Sequence, residues 1–357
     1  MTKPLPILVL LAACATASPA NVEQALRLAA ADDSLRTLVD AFADSSRAPS
    51  LSIAIARDDR VIFAYARGAS ASIHTQYRIG SVSKLLTATA AVRLAARHHL
   101  DLDAEIHQYV PEFPPKPYPI TLRQLAGHLS GIRHYARSEF VNRTHYDSVA
   151  PTIAIFSGDS LLFVPGSRYG YSSYGYNLLS LAVERAAGAP FLQVVSREVL
   201  GPLRLRETAP DRPDSAMPRR ANPFELSSDG RLVPATVDDL SNRWASGGFV
   251  ASVMDLAHFA AAFLHPGFLS DSLIRMMTTP QRLTSGENTA VGFGWRIGKD
   301  GAGRTIWHHA GSSVGGRAVL VVWPDEHLVV AIAGNLLFDM SERTTFRFAD
   351  MARAQQR

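Results

Sequence analysis

The chain has 357 residues, 47% of them hydrophobic and 19% charged, with a net charge of +4. That is apolar enough for a sizeable core and excludes a disordered chain. Its arginines are scattered rather than clustered, which excludes the basic stripe of a nucleic-acid binder. The one cysteine, Cys14, excludes an internal disulfide.

Residues 1–20 read as an export signal, with Lys3 as the charged start, Leu5 to Ala13 as the apolar stretch and small residues after it. The stretch is too short to span a bilayer. Leu11-Ala12-Ala13-Cys14 resembles a bacterial lipobox, which makes Cys14 a candidate lipidation residue. Ordinary signal-peptidase cleavage near Ala17 or Ala20 is the alternative. Both place the mature chain in a bacterial periplasm or cell envelope.

Residues 22–46 carry helical periodicity through Leu26, Leu35, Leu38, Val39 and Phe42. Leu51 to Ala56 alternates large and small residues, turns at Asp58-Asp59 and continues from Val61 to Ala66, which predicts a β-hairpin. Tyr77 to Lys84 then leads into an apolar, alanine-rich helix ending near Arg97. Five prolines between Pro111 and Pro119 make 101–119 a loop, and a short helix follows from Thr121 to Leu129. A Gly-, Ser- and Tyr-rich stretch, Tyr169 to Tyr176, precedes a helix through Val183 and a further helix at about 190–200. Residues 208–245 are polar and proline-rich, as expected of a surface excursion over the site. Gly247-Gly248 precedes a helix over about 252–264. Strands are predicted over 304–308, 317–323 and 328–333, and a helix closes the chain. Strands at both ends with helices between predict an α+β fold, one antiparallel sheet built from both chain ends and flanked by helices, with an inserted helical lobe. One domain over 21–357 is expected, its α/β lobe comprising about 21–75 and 246–357 and its helical lobe about 76–245.

Ser81 and Lys84 form Ser-x-x-Lys where loop becomes helix. At i and i+3 the hydroxyl and the amine share one helix face. Ser81 can be read simply as a helix N-cap. The chain, however, has only four lysines (Lys3, Lys84, Lys116 and Lys299) against 32 arginines. A lysine in an apolar helix start then suggests a job arginine cannot do, namely losing its proton. Tyr171 precedes a helix, where a phenol can face a cleft or merely pack. His309-Ala310-Gly311-Ser312 lies between two predicted strands, where small residues admit a substrate or simply make a turn. Gly311-x-Ser313-x-Gly315 matches a nucleophile elbow, but a strand follows it where that motif requires a helix. No His-Glu-x-x-His is present, and the His98-His99 pair sits at a helix end, so no metal is expected. No phosphate-binding glycine loop is present, so no cofactor is expected.

Ser81-x-x-Lys84, Tyr171-Ser172-Ser173 and His309-Ala310-Gly311, in that order, resemble the serine β-lactamase and penicillin-binding family. The likeness is to its class C branch and, through Leu100 to Asp103, Tyr109 to Tyr118 and His128 to Tyr135, to the mitochondrial β-lactamase-like members. The resemblance implies that Ser81 is acylated and that Lys84 and Tyr171 share its activation. It implies an oxyanion hole from the backbone N–H groups of Ser81 and Ser312, with Ser173, His309 and Gly311 at the substrate. Ser173 stands where class C enzymes carry Asn and His309 where they carry Lys. The function expected is hydrolysis of peptides or esters, with weak or no β-lactamase activity. The partners expected are a small peptide or ester substrate, no nucleic acid, and a membrane only through the lipid anchor; oligomerisation is left open. The alternative is a vestigial protein of the same fold that binds or assembles into filaments. If Cys14 is lipidated, the protein partitions with membranes and Cys14→Ser releases it or blocks its processing; a mature N-terminus downstream of Cys14 would refute the anchor.

Overall fold

The computed structural model describes residues 19–212 and 215–354, the first 13 of these by backbone alone. The segment expected to be an export signal lies outside the described residues up to residue 18, Cys14 included. The first helix, α1, spans Pro19–Ser46 and leads into the hairpin of β1 (Ser50–Arg57) and β2 (Arg60–Gly68). A short strand, β3 (Tyr77–Arg78), precedes α2 (Ser83–Ala95), and α3 (Leu122–Ala126), α4 (Ser173–Ala187) and α5 (Phe191–Val195) complete the first part of the helical lobe. The excursion carries the short strands β4 (Ala209–Pro210), β5 (Phe224–Leu226) and β6 (Leu232–Pro234). It is followed by α6 (Trp244–Gly247), β7 (Phe249–Ala251), α7 (Val253–Ala261) and α8 (Asp271–Thr278). The chain returns through β8 (Arg296–Lys299), β9 (Thr305–Ser313), β10 (Gly316–Trp323) and β11 (Leu328–Gly334), and closes with α9 (Glu342–Ala354).

The six long strands form one antiparallel sheet in the order β2-β1-β11-β10-β9-β8, so both chain ends build it, as expected. Two differences stand out. β8 has no counterpart in the sequence reading, and β9 runs on to Ser313 instead of stopping at His308.

The alternation in β1 sets which layer covers which face. Ala54 and Ala56 face the helical lobe, and their small side chains let α7 lie close to β1 and β11. Leu51, Ile53 and Ile55 face the other way and share a core with Leu35 and Val39 of α1 and Phe348 of α9. β10 and β11 repeat the division, with Val319, Val321, Val330 and Ile332 on the α1 and α9 side. Each such aliphatic side chain contributes about 1.5–3 kcal/mol on burial. α2 is buried nearly all round, from Ser83 to Val92, which marks it as the central helix of the lobe rather than a surface helix. No single helix among the described residues is long and apolar enough to cross a membrane.

The β8–β9 hairpin is held by Asp300. Its carboxylate accepts from Trp323 Nε1 at 2.8 Å and Arg304 Nε at 2.6 Å, and from the backbone N–H groups of Ala302 and Arg304. Burial alone would raise its pKa, but the hydrogen bonds from Trp323 and Arg304 outweigh it and hold the group at about 2. The folded value lies below the unfolded one, so the stabilisation is full above about pH 4 and fades as pH falls towards 2. Asp300→Ala leaves buried donors unpaired and should cost about 1–3 kcal/mol at pH 7. Urea unfolding at pH 7 and pH 3 should show the gap to wild type narrowing in acid; an equal gap at both would show that the charge contributes nothing.

Candidate active site

Ser81 lies in a tight 3-10 turn, Gly80–Val82, that feeds α2. Its hydroxyl caps no helix, which corrects the N-cap reading. The turn is pressed against β9 by two glycines. Gly80 adopts φ +47°, and a Cβ there would lie 2.6 Å from Ser312 N. A Cβ on Gly311 would lie 1.9 Å from Ile79 O and 2.8 Å from Ser81 N. Only residues without a side chain permit this approach. It sets the backbone of Ser81 beside that of Ser312. His309 to Ser312, expected in a connection between strands, lie inside β9. Its pairing with β8 ends at His308, so its last residues have the Ser81 turn beside them in place of a strand.

Lys84 is wholly buried. Its Nζ lies 3.2 Å from Ser81 Oγ, 3.0 Å from Ser173 Oγ and 2.6 Å from the carbonyl of Ser246. No carboxylate pairs with it among the described residues. Burial, then the positive charges of Arg296 and Arg243, push its pKa well below 10.5. The amine therefore sits in surroundings that favour its neutral form.

Tyr171 Oη donates to Ser81 Oγ at 2.7 Å. Burial raises its pKa, so it is a phenol and a donor at neutral pH. Its place is fixed by the residues after it. The Ser172 hydroxyl caps α4 by accepting from Gly175 N, and Ser172 N donates to His128 Nδ1 at 3.2 Å. Ser173 N donates to His134 Nδ1, also at 3.2 Å. Both imidazoles are acceptors here and therefore neutral at that nitrogen. Burial, with Lys84 and Arg243 nearby, lowers His134 to about 4, and burial with Lys84 puts His128 well below 6.5.

A cavity of about 280 Å³ opens over Ser81, lined by Tyr171, Ser173, Arg243, Arg296 and Ser312 among others. A larger hollow of about 660 Å³, beside Pro49, Thr75 and Arg219, contains none of these groups.

The structure thus brings together Ser81, Lys84, Tyr171, Ser173, Gly311 and Ser312. It does not place the His309 side chain in the cavity lining. His309 is buried, its neighbours Ala310 and Ser312 line the cavity in its stead, and burial with Arg296 and Lys84 lowers its pKa well below 6.5. The elbow fails as expected, because Ser313 ends a strand and the turn at Gly315 leads straight into β10.

Two arginines escaped the sequence reading. Arg243 lies at the end of the supposed surface excursion, yet residues 240–246 are buried and form a wall of the site. Its guanidinium is paired with Asp238 at 3.2 Å. Arg296 begins the unforeseen β8; it donates to Tyr169 Oη at 3.1 Å and has no carboxylate partner among the described residues. The one signal for either was apolar company: Arg243 precedes Trp244-Ala245, and Arg296 follows Phe293-Gly294-Trp295. No group of His or acidic side chains spaced for a metal occurs in the cleft; the one such cluster among the described residues is Asp58, His265 and His327.

The Beta-lactamase family model matches residues 35–352. The mitochondrial serine beta-lactamase-like protein LACTB of Homo sapiens is 26% identical over 399 residues, covering 84% of this chain and 73% of its own. The D-stereospecific amidohydrolase from Streptomyces sp. superposes with a TM-score of 0.75 at 24% identity, covering 89% of this chain and 97% of its own. The Beta-lactamase/D-alanine carboxypeptidase from Yersinia pestis superposes at 0.73 and 20% identity, covering 90% and 99%. At such identities the two structures show the fold alone. Because the family model spans nearly the whole chain, the protein belongs to the β-lactamase family.

Proposed function

We propose that this protein is a serine hydrolase that forms an acyl-enzyme on Ser81 and acts on small amides or esters that carry a carboxylate. The observation that carries the chemistry is the buried Lys84 amine, 3.2 Å from a hydroxyl that also receives a 2.7 Å hydrogen bond from Tyr171. A serine is a poor nucleophile without an adjacent base. Neutral Lys84 takes the Ser81 proton as Oγ attacks the carbonyl carbon. The oxyanion is received by the N–H groups of Ser81 and Ser312. The proton then passes from Lys84 by way of the Tyr171 phenol to the leaving nitrogen or oxygen, and the carbonyl–leaving-group bond breaks. Water enters, gives its proton to the same pair and releases the acid.

The substrate class rests on the arginines. A neutral, buried His309 removes the charge that a lysine would hold at that position, which by itself favours neutral substrates and weak β-lactam turnover. Arg296 and Arg243 restore positive charge to the cavity wall, and Arg296 has no acidic partner among the described residues. The substrate these charges favour is an anionic amide or ester, and the cavity of about 280 Å³ suits a small one. The names of the structural neighbours, an amidohydrolase acting on D-stereoisomers and a D-alanine carboxypeptidase, support testing short D-amino-acid amides and peptides first. The presence of both Ser81 and Lys84 weighs against a vestigial assembly protein.

A fluorophosphonate probe should label the wild type at a rate that rises with pH through one ionisation well below 10.5, as Lys84 loses its proton. Ser81→Ala should abolish labelling, Ser313→Ala should leave it intact, and Lys84→Arg or Tyr171→Phe should slow it by about 10²–10⁴-fold. Full labelling of Ser81→Ala would sink the assignment.

Arg296→Gln separates charge from chemistry. On a carboxylate-bearing substrate KM should rise about ten- to a hundredfold, the loss of one charge-assisted hydrogen bond. On the matched neutral ester KM should hold, while the pH at which kcat/KM rises moves upward because a cation near Lys84 is gone. Equal losses on both substrates would remove the anion preference.

A further inference from the structure

At the end of the β10–β11 ladder away from Ser81, three side chains that no sequence motif links meet at one point. Asp58 sits in the β1–β2 turn, His327 in the turn between β10 and β11, and His265 in the segment after α7. We propose that they form a binding site for a divalent cation of the zinc class, independent of the hydrolytic cleft.

Four observations carry this. The ligand atoms of the three residues all lie within 4.8 Å of one another. His327 Nδ1 shares a 2.7 Å hydrogen bond with one Asp58 oxygen, whose proton a cation would replace, and His265 Nε2 lies 3.8 Å from the same oxygen. Asp58 and His327 both adopt left-handed backbone, at φ +55° and +50°, a conformation few residues other than glycine take up. Their turns are also tied to each other, Asp58 N donating to His327 O at 2.8 Å. Two of the three donors are thus set on the end of a rigid sheet, and strained backbone turns them to one spot.

The chemistry of the set selects the ion. Two imidazoles and one carboxylate suit zinc, copper or nickel, whereas calcium and magnesium prefer all-oxygen sites. Three protein ligands leave a coordination position for water. The side chains are about half exposed, at 54%, 46% and 43%, so an ion can enter without any opening of the fold. Bound there, it would cross-link three segments far apart in sequence, the first hairpin, the last hairpin and the return from the helical lobe. A ligand held by the folded state alone raises stability by an amount that grows with the logarithm of its concentration over Kd. The consequence is a metal-dependent melting temperature rather than metal-dependent hydrolysis.

The test uses the untagged full chain, stripped with a chelator and titrated with Zn²⁺ by calorimetry, alongside thermal unfolding. One equivalent should bind, Tm should rise with Zn²⁺, and fluorophosphonate labelling of Ser81 should not change. His265→Gln and His327→Gln should each weaken binding at least about tenfold and remove the rise in Tm. His265→Gln, on a connecting segment, keeps the test open if His327→Gln fails to fold. No saturable binding, unchanged affinity in His265→Gln, or equal competition by Ca²⁺ would overturn the proposal.

Discussion

A lysine amine buried without a carboxylate is the constraint on which the rest of the site depends. An ammonium out of water and unpaired is costly, and a protein relieves that cost by surrendering the proton. Here the surrounding groups press the same way. The nearest partners are two hydroxyls and one carbonyl, and the nearest charges are two arginines. An acid in their place would have restored the proton and made Lys84 a structural ion pair. The four lysines among 36 basic residues gain their meaning from this, because arginine could not have served.

The second requirement is the close approach of two backbones. Gly80 and Gly311 remove side chains from the line where the Ser81 turn meets β9, and a methyl group on either would collide with main chain. The sheet holds one side of this contact and the central helix the other. The helical lobe must therefore dock on the sheet for the site to exist at all. The hairpin tied down by Asp300 extends the same logic, since it presents Arg296 at the rim of the cleft.

The electrostatics of the cleft serve two ends. Burial first, and then Arg296 and Arg243 between them, lower the proton affinity of Lys84, His128, His134 and His309, which favours neutral bases and acceptors. The same charges face the cavity, where an anionic substrate would meet them. On the proposed function, binding such a substrate would weaken the field around Lys84 and couple substrate charge to base strength through Arg296.

The sequence by itself determined the frame of the molecule. Alternation in β1, the apolar runs of β10 and β11, the alanine-rich run of α2 and the order of strands and helices are local patterns, and they gave an antiparallel sheet from both chain ends. Ser81 and Lys84 were legible because i and i+3 on a helix are neighbours whatever the remainder of the chain does. Tyr171, Gly311 and Ser312 were ambiguous as residues and gained roles only through family resemblance, and Ser173 was legible only that way. What the tertiary structure alone decided lies where distant segments meet. Arg243 looked like part of a surface excursion until residues 240–246 were seen to be buried, and Arg296 lay in an unremarked strand. His309, expected at the substrate, lies buried beside residues that line the cavity. Asp58, His265 and His327 share no periodicity. Spacing along a chain encodes neighbours within one element, whereas burial, charge environment and contacts between elements are fixed only when the sheet and the lobe close on one another.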